Sequence, residues 1–290
     1  IRLCAARPGL PPLLVVQGGP ALPLLSEVRK FQRLLNLETD FLVGYWEQRG
    51  CGNVSRGDAQ SVSLAQQVED LRSVLRWFHG ETRQRILILG ISIGGTITLL
   101  AAEQEPDLVK AVIAISPDAQ TSVSDAAADA FLQEQASGPD HRRLRQRVTS
   151  LGQPPYLDLP SLQRRARLLA DLGTIVHGRT FAELTREFFF ALIRTYGVVG
   201  SARALRNMTI VQRKLLPEIA SLNLFVRPPR IMVPVHYVFG EQDALTPISV
   251  VKDLPAAIGA PGTTVVRLTN AGHFLHFDHP EIVRSIVGRA

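Results

Sequence analysis

ILILGISIGGTITLLAAE, residues 86–103, is the stretch that decides how the rest of the chain is interpreted. Its first four residues predict a buried strand, and the residues from Ile93 onward predict a helix. A G-x-S-x-G pattern at residues 90–94 stands at their junction. A serine at such a junction occupies a strained turn, and its neighbours two positions away must be small. The context favours a nucleophilic Ser92 over the alternative, a structural serine in a glycine-rich turn.

The composition is that of an ordinary globular protein. The 290 residues are 46% hydrophobic and 20% charged, which predicts one large domain or a core with a substantial insertion. There are two cysteines, Cys4 and Cys51, too few for a disulfide framework or a metal cluster of thiolates. We expect no metal and no organic cofactor.

The formal net charge of +6 raises the question of nucleic-acid binding. Arginines cluster at residues 141–147 and 164–167, but no aromatic residues interleave with them, so both clusters are interpreted as solvated helix faces. The uncharged run at residues 86–102 is interrupted by glycines, which argues against a membrane span. Without a signal peptide we expect a cytoplasmic protein, although the sequence starts at Ile1 and secretion stays open. The oligomeric state is open as well.

Short apolar runs alternate with longer segments of helical period, a pattern typical of a parallel sheet covered by helices. The predicted strands are 13–16, 40–45, 86–89, 111–115, 231–239 and 264–268. The predicted helices of this part are 26–35, 63–78, 93–103 and 280–287. Between them, residues 118–230 are helical and rich in arginine. We therefore predict a core formed by residues 1–117 and 231–290, with residues 118–230 as a helical lid inserted before the last two strands.

A serine hydroxyl needs a base to accept its proton, and His273 is well placed for this role. It follows the predicted strand 264–268 in a loop where a small residue precedes it. His276 and His279 are nearby competitors, but they fall toward the closing helix and are interpreted as surface residues.

The base in turn needs an acid that fixes its tautomer. Asp243 follows the predicted strand 231–239 in a turn at the carboxyl edge of the sheet, and it precedes His273 in the chain. Asp118, which follows the predicted strand 111–115, is the alternative acid.

Acyl transfer also requires backbone donors for a developing oxyanion. The amide of Ile93 directly follows the nucleophile, and the QGGP loop at residues 17–20 offers the amide of Gly19. A plain Gly-Gly-Pro turn is the alternative interpretation of that loop.

Three segments together resemble the prolyl iminopeptidase branch of the α/β-hydrolases: QGGP (17–20), EQRGCGNVS (47–55) and GISIGG (90–95). GEQDALTP (240–247) and NAGHF (270–274) fit the wider superfamily. The resemblance implies an α/β-hydrolase fold with a lid, and a serine hydrolase that removes an N-terminal residue, typically proline, from a peptide.

The sequence also departs from the motifs HGGPG, DQRG-x-G-x-S and GGSWGG that are common in that branch. Gln17 stands for the histidine, Ala21 for the last glycine and Glu47 for the aspartate, while Ile91 and Ile93 flank the nucleophile. These departures leave the predicted triad intact and bear on the peptidase specificity.

An aminopeptidase must pair the substrate's ammonium with a carboxylate, which the resemblance places partly in the lid. Glu183 and Glu187 share one helix face beside Phe189 and are the candidates, with a solvated glutamate pair as the alternative. Phe189 predicts an apolar pocket. The substrate would be a short peptide or another small molecule. An esterase or lactonase with a small apolar substrate is the main competing function, followed by a non-hydrolytic enzyme or a binding protein on this fold.

Overall fold

The computed structural model describes residues 1–54 and 56–290. Ser55, the last residue of the EQRGCGNVS segment, lies outside the described residues. The strands within the described part are β1 (Arg2–Cys4), β2 (Pro12–Val16), β3 (Leu42–Trp46), β4 (Ile86–Ile91), β5 (Val109–Ile115), β6 (Val235–Gly240) and β7 (Thr264–Leu268). They form one sheet in the order β1-β3-β2-β4-β5-β6-β7. β1 is antiparallel to β3, and every other neighbouring pair is parallel.

Helices cover both faces of the sheet. The helices within the described part are α1 (Leu24–Leu35), α2 (Arg56–Gln60), α3 (Leu64–Thr82), α4 (Ile93–Gln104), α5 (Thr121–Ala136), α6 (Arg142–Thr149), α7 (Leu159–Asp171), α8 (Phe181–Ala220), α9 (Ile248–Val251), α10 (Leu254–Ile258), α11 (Leu275–Asp278) and α12 (Pro280–Arg289). A short 3₁₀ helix spans Leu37–Thr39. The fold is the mostly parallel α/β sheet with a helical insertion that the sequence predicts.

The alternation of side chains along each strand explains the two cores. In β2, Leu14 and Val16 pack with α3 and α4, whereas Leu13 and Val15 pack with α1 and α12. All four side chains are fully buried, since strands in the middle of a parallel sheet have no solvent-facing side. Such strands form continuous apolar runs, which is why the sequence predicts them well.

The lid comprises α5 to α8, between β5 and β6. It has a core of its own that includes Leu132, Tyr156 and Leu169, and this core reaches Ala244 beyond β6. The four helices fall within the predicted limits of residues 118–230, and the division into two domains at those limits stays a prediction.

Helix α8 is unusual for its length and its exposed apolar residues. Among the described helices it alone is long and apolar enough to span a membrane by composition. Gly197 leaves the helical conformation at φ 67° and ψ −179°, so α8 consists of two halves. In its second half, Val211 and Leu215 are buried in the same hydrophobic cluster as Leu14 of β2. Helix α8 therefore packs both in the lid and against the core of the sheet.

Two sequence expectations change in the folded chain. The predicted strand 231–239 begins only at Val235, because Pro234 has no amide hydrogen for a sheet ladder. The 164–167 arginine cluster is not wholly solvated: Arg165 is 3% exposed and is ion-paired with Asp125, forty residues earlier. The edge strand β1 was not predicted, because its three residues do not form an apolar run.

Candidate active site

The site begins at the turn between β4 and α4. Ser92 occupies this turn with φ 55° and ψ −131°, a conformation that is strained for a residue with a side chain. Its amide donates to the carbonyl oxygen of Ile115 at 2.8 Å, which ties the turn to the end of β5. The predicted strand–serine–helix arrangement is therefore present, with Ser92 at the carboxyl edge of the sheet.

Glycines allow this turn to lie against its neighbours. A Cβ atom on Gly94 would stand 2.4 Å from the carbonyl oxygen of Gln17, and one on Gly90 would stand 2.7 Å from the Cα of Gly95. Gly18 faces the nucleophile itself, because its Cβ would stand 2.8 Å from the Cβ of Ser92. The QGGP loop and the turn thus touch through backbone atoms.

We expect Gly94→Ala to destabilise the fold by about 1–3 kcal/mol, because the added methyl group would collide with backbone that cannot rotate away. Gly80→Ala is the matched control: Gly80 lies in α3, and a Cβ there meets nothing within 4 Å. That control should stabilise by about 0.4–1 kcal/mol through the unfolded chain. Urea unfolding measures both changes, and a Gly94→Ala protein as stable as the parent would contradict the close packing.

His273 and Asp243 form a buried pair. The Nδ1 atom of His273 lies 2.8 Å from Oδ2 of Asp243, and the two side chains are each 1% exposed. Asp243 also accepts hydrogen bonds from the amides of Leu245 and Thr246, both at 2.9 Å, and from the Thr246 hydroxyl at 2.7 Å. These bonds hold the carboxylate against the imidazole.

The pair favours the charged form of both partners. Burial alone would raise the pKa of Asp243, but the His273 charge and hydrogen bond, with the Thr246 donors, hold it below its ordinary value. Burial alone would lower the pKa of His273, but the charge and hydrogen bond of Asp243 raise it above its ordinary value. The arrangement suits a base that becomes an imidazolium during the reaction.

The loop that carries His273 is bonded to the lid. The amide of His273 donates to the carbonyl oxygen of Thr174 at 2.9 Å, and the amide of Phe274 donates to that of Ile175 at 2.7 Å. Gly272 permits this approach, because a Cβ there would stand 2.6 Å from the Thr174 oxygen. The small residue ahead of the histidine therefore faces the lid, a contact that the sequence analysis did not foresee.

Asp118 lies beside the nucleophile. Its Oδ2 atom accepts a hydrogen bond from the Ser92 hydroxyl at 3.3 Å. The Nε2 atom of His273 is buried and has no hydrogen-bond partner among the described residues. The structure thus brings Ser92, Asp118 and the His273–Asp243 pair into one site, with the serine hydroxyl turned to Asp118. Catalytic hydrogen bonds often tighten only once substrate is bound.

One predicted oxyanion donor follows Ser92 directly, and the other follows Gly18, which packs against Ser92. Ile93 is the first residue of α4, where amides lack an acceptor within the helix. Gly19 lies in the QGGP loop, and its amide has no acceptor among the described residues. Both amides remain predicted donors for an oxyanion.

The EQRG segment braces the loops around the site. Glu47 accepts hydrogen bonds from the Tyr196 hydroxyl at 2.5 Å and from the amide of Leu25 at 2.8 Å. Burial, only partly offset by those bonds, raises the pKa of Glu47. Gln48 donates to the carbonyl oxygen of Gln17 at 2.9 Å. The segment therefore joins the lid, α1 and the QGGP loop.

The second half of α8 holds the same loops from the lid side. Gln212 donates to the carbonyl oxygen of Pro20 at 3.3 Å. Asn207 is fully buried and donates to the carbonyl oxygens of Gly52 and Val54 at 3.2 and 3.0 Å. One lid helix thus supports both glycine-containing loops.

The interpretation of His276 as a surface residue is wrong. Its side chain is fully buried, and its ring stacks on Phe31 at a centroid distance of 5.3 Å. Burial, together with the nearby charge of Lys30, lowers its pKa well below the ordinary value. His279 is half-buried and contacts the carbonyl oxygen of Thr269 at 2.9 Å.

An apolar cavity of about 290 Å³ opens beside His273, between the core and the lid. Phe188 lines this cavity, whereas Phe189 does not and is 41% exposed. Glu187 also lines it, but its carboxylate is already ion-paired with Lys30 at 3.2 Å and with Arg179 at 3.1 Å. The cavity would accept a small, mostly apolar group.

Glu183 does not reach this cavity. It forms a capping box with Thr180 at the start of α8, where its carboxylate accepts bonds from the Thr180 amide and hydroxyl at 2.8 and 2.9 Å. Those bonds lower its pKa. The predicted role of Glu183 in substrate binding is not supported by this position.

Glu27 is a cavity residue that the sequence analysis missed. It lies in α1, lines the cavity, and has no ion-pair partner among the described residues. Burial raises its pKa, while Lys30 opposes the shift. From sequence, a glutamate in the first turn of a helix is indistinguishable from one that only complements the helix dipole.

Comparison with known proteins shows the family of this chain. The family model described as the alpha/beta hydrolase fold matches residues 11–280. The chain belongs to the α/β-hydrolase fold family. Membership confirms the fold class predicted from the sequence.

Within this α/β-hydrolase family, the chain is 25% identical over 283 residues to YbaC of Bacillus subtilis strain 168, described as a probable aminopeptidase; the match covers 96% of this chain and 88% of YbaC. Proline iminopeptidase from Mycobacterium smegmatis is 17% identical with a TM-score of 0.68, over 98% of this chain and 90% of that one. Est816, described as an N-acyl homoserine lactone degrading enzyme, is also 17% identical, with a TM-score of 0.62 over 99% and 94%. These relatives support a hydrolase and bear out the resemblance to the prolyl iminopeptidase branch.

Proposed function

We propose that this α/β-hydrolase is a serine hydrolase that forms an acyl-enzyme on Ser92. The observation that carries the proposal is the strained serine at the start of α4 in one site with the buried His273–Asp243 pair. A base oriented by a carboxylate is what a serine hydroxyl needs to become a nucleophile at neutral pH. The reaction needs no metal and no organic cofactor.

In the proposed mechanism, the Ser92 oxygen attacks the substrate carbonyl carbon while Nε2 of His273 accepts the hydroxyl proton. The amides of Gly19 and Ile93 stabilise the oxyanion. The tetrahedral intermediate then collapses, and His273 protonates the leaving amine or alcohol as its bond to the carbonyl carbon breaks. A water molecule attacks the acyl-enzyme, His273 takes its proton and returns it to Ser92, and the free acid leaves.

We further propose that the substrate is a short peptide or an amino-acid amide, so that the enzyme is an aminopeptidase similar to prolyl iminopeptidases. Support comes from the three sequence segments shared with that branch and from the description of YbaC as a probable aminopeptidase. It also comes from Asp118, whose carboxylate lies beside Ser92 without an ion-pair partner among the described residues, since an aminopeptidase must pair a substrate ammonium.

A carboxylesterase or lactonase is the second candidate. The apolar cavity beside His273 favours it, because Glu187, the lid carboxylate predicted to bind an ammonium, is engaged by Lys30 and Arg179. An uncharged acyl group would fit such a cavity, and Est816 is described as an enzyme that degrades a lactone.

Comparing kcat/KM for three substrates decides between the two functions: proline p-nitroanilide, N-acetylproline p-nitroanilide and p-nitrophenyl butyrate. We expect cleavage of proline p-nitroanilide that is lost on N-acetylation, with Ser92→Ala as the blank. Cleavage of the ester without either anilide would replace the aminopeptidase by an esterase. No turnover of any of the three would overturn both candidates.

The activity should also depend on pH through His273. Because Asp243 raises the pKa of His273, we expect kcat/KM to fall as the pH drops through a midpoint above 6.5, the ordinary histidine value. Protonated His273 cannot accept the serine proton, which fixes the sign of the effect. A pH profile at constant ionic strength measures the midpoint, and a value at or below 6.5 would contradict the stabilised imidazolium.

A further inference from the structure

Asp118 is held beside the nucleophile from two sides. It follows β5 in the turn that leads to α5, at the carboxyl edge of the sheet. Its carboxylate accepts the Ser92 hydroxyl at 3.3 Å, and its backbone oxygen accepts the Thr96 hydroxyl at 2.6 Å. The residue is half-buried, so its position relative to Ser92 is set by the core rather than by a mobile loop.

Among the described residues, no lysine, arginine or histidine nitrogen lies within ion-pair distance of Asp118. His273 and Arg165 act on it only at longer range, and they are ion-paired with Asp243 and Asp125 respectively. An unpaired carboxylate in a largely buried site is costly, so its natural partner is a cation that arrives with the substrate.

Its ionisation suits this role at neutral pH. Burial, opposed by His273 and reinforced by Asp243, raises the pKa of Asp118 to about 6. The carboxyl group is therefore mostly charged above that pH.

We infer that Asp118, rather than a lid glutamate, binds the α-ammonium group of the substrate; this rests on the proposed aminopeptidase function. A reacting carbonyl carbon must come within about 3–3.5 Å of the Ser92 oxygen. In an amino acid the α-nitrogen lies roughly 2.5 Å from that carbon. An ammonium in such a substrate falls within reach of a carboxylate oxygen that is 3.3 Å from the same serine oxygen.

The competing role for Asp118 is the acid of the triad. Nδ1 of His273 already lies 2.8 Å from Asp243, and Asp118 makes no hydrogen bond to the imidazole. Glu187 is the competing ammonium site, and its two cations leave it no unpaired charge. Asp118 is a substrate-binding residue in this assignment, and it fixes the distance between the ammonium and the scissile carbonyl.

The test measures how prolinamide and cyclopentanecarboxamide, which lacks the ammonium, inhibit hydrolysis of p-nitrophenyl butyrate. It compares the parent enzyme with Asp118→Asn and with Glu27→Gln, which removes the other unpaired carboxylate near the site. We expect the parent and Glu27→Gln to bind prolinamide about 10- to 100-fold more tightly than the neutral analogue, the range of one charge-assisted hydrogen bond. In Asp118→Asn this preference should vanish, with the inhibition constant of the neutral analogue unchanged.

A parent enzyme that binds both amides equally well overturns the assignment. A preference that survives in Asp118→Asn, or that disappears in Glu27→Gln instead, places the ammonium elsewhere. Equal weakening of both inhibitors in Asp118→Asn indicates a structural role. If that variant has no ester turnover, calorimetric binding of the two amides applies the same criteria. A parent enzyme with the preference but no turnover of proline p-nitroanilide would retain the ammonium site and reject the aminopeptidase.

Discussion

Ser92→Ala should reduce kcat by a factor on the order of 10⁶ while leaving the fold intact, as loss of the nucleophile does in serine hydrolases. Among the described residues the hydroxyl makes a single hydrogen bond, to Asp118, so its removal should change the free energy of unfolding by about 1 kcal/mol or less. Steady-state kinetics with the best substrate measures the loss. A fluorophosphonate probe adds a second readout, because it should label the parent protein once and Ser92→Ala not at all.

Ser285→Ala provides the matched control for this variant. Ser285 lies exposed in α12, where alanine is a better helix former than serine. The control should keep full turnover and full labelling. Wild-type rates in Ser92→Ala would eliminate the acyl-enzyme mechanism, and labelling at another serine would identify a different nucleophile.

Asp243→Asn should be the second most damaging change, with a loss in kcat on the order of 10⁴. Asp243 accepts four hydrogen bonds, from His273, Leu245 and Thr246, and an amide cannot accept all of them. Its NH₂ group would also favour the His273 tautomer that carries the proton on Nε2, and that tautomer cannot accept the serine proton. The acid limb of the kcat/KM profile should move to lower pH, since the charge that raises the His273 pKa is gone.

Two further variants test whether the loss is specific to Asp243. Asp253→Asn changes an exposed aspartate beyond β6 that makes no capping hydrogen bond, and it should keep the parental rate. Asp118→Asn should reduce the turnover of uncharged esters far less than Asp243→Asn does. A larger loss on esters in Asp118→Asn would reassign the acid of the triad to the carboxylate after β5.

Most of the fold and the three candidate triad residues could be predicted from short local patterns in the sequence. The strand before Ser92 is a continuous, fully buried apolar run. The strands before Asp243 and His273 are short and mostly apolar, although β6 contains His236 and β7 is largely exposed, so short windows of sequence still sufficed. The edge strand β1 escaped prediction because a three-residue strand with exposed side chains has no apolar pattern. The structure places the three predicted triad residues in one site, and their catalytic roles stay a prediction.

Contacts between segments that are distant in the sequence could not be predicted from it. The burial of Arg165 depends on Asp125, and that of His276 depends on Phe31 in α1, and neither partner is adjacent in sequence. Glu183 is different, because Thr180 three residues before it is a capping-box signature that is readable from the sequence. The position of Asp118 against Ser92 follows from the pairing of β4 with β5, and only the folded sheet gives the distance.

The two halves of α8 contact different parts of the site, and this limits how the lid can be replaced. The half before Gly197 lines the cavity through Phe188, while the half after it holds the QGGP loop through Gln212 and the neighbouring loop through Asn207. The lid is therefore not an interchangeable module. A graft that replaces the whole helix to alter substrate preference would also release the loop that carries the Gly19 amide. A graft that ends at Thr195 would exchange the cavity wall and keep Tyr196 with its hydrogen bond to Glu47.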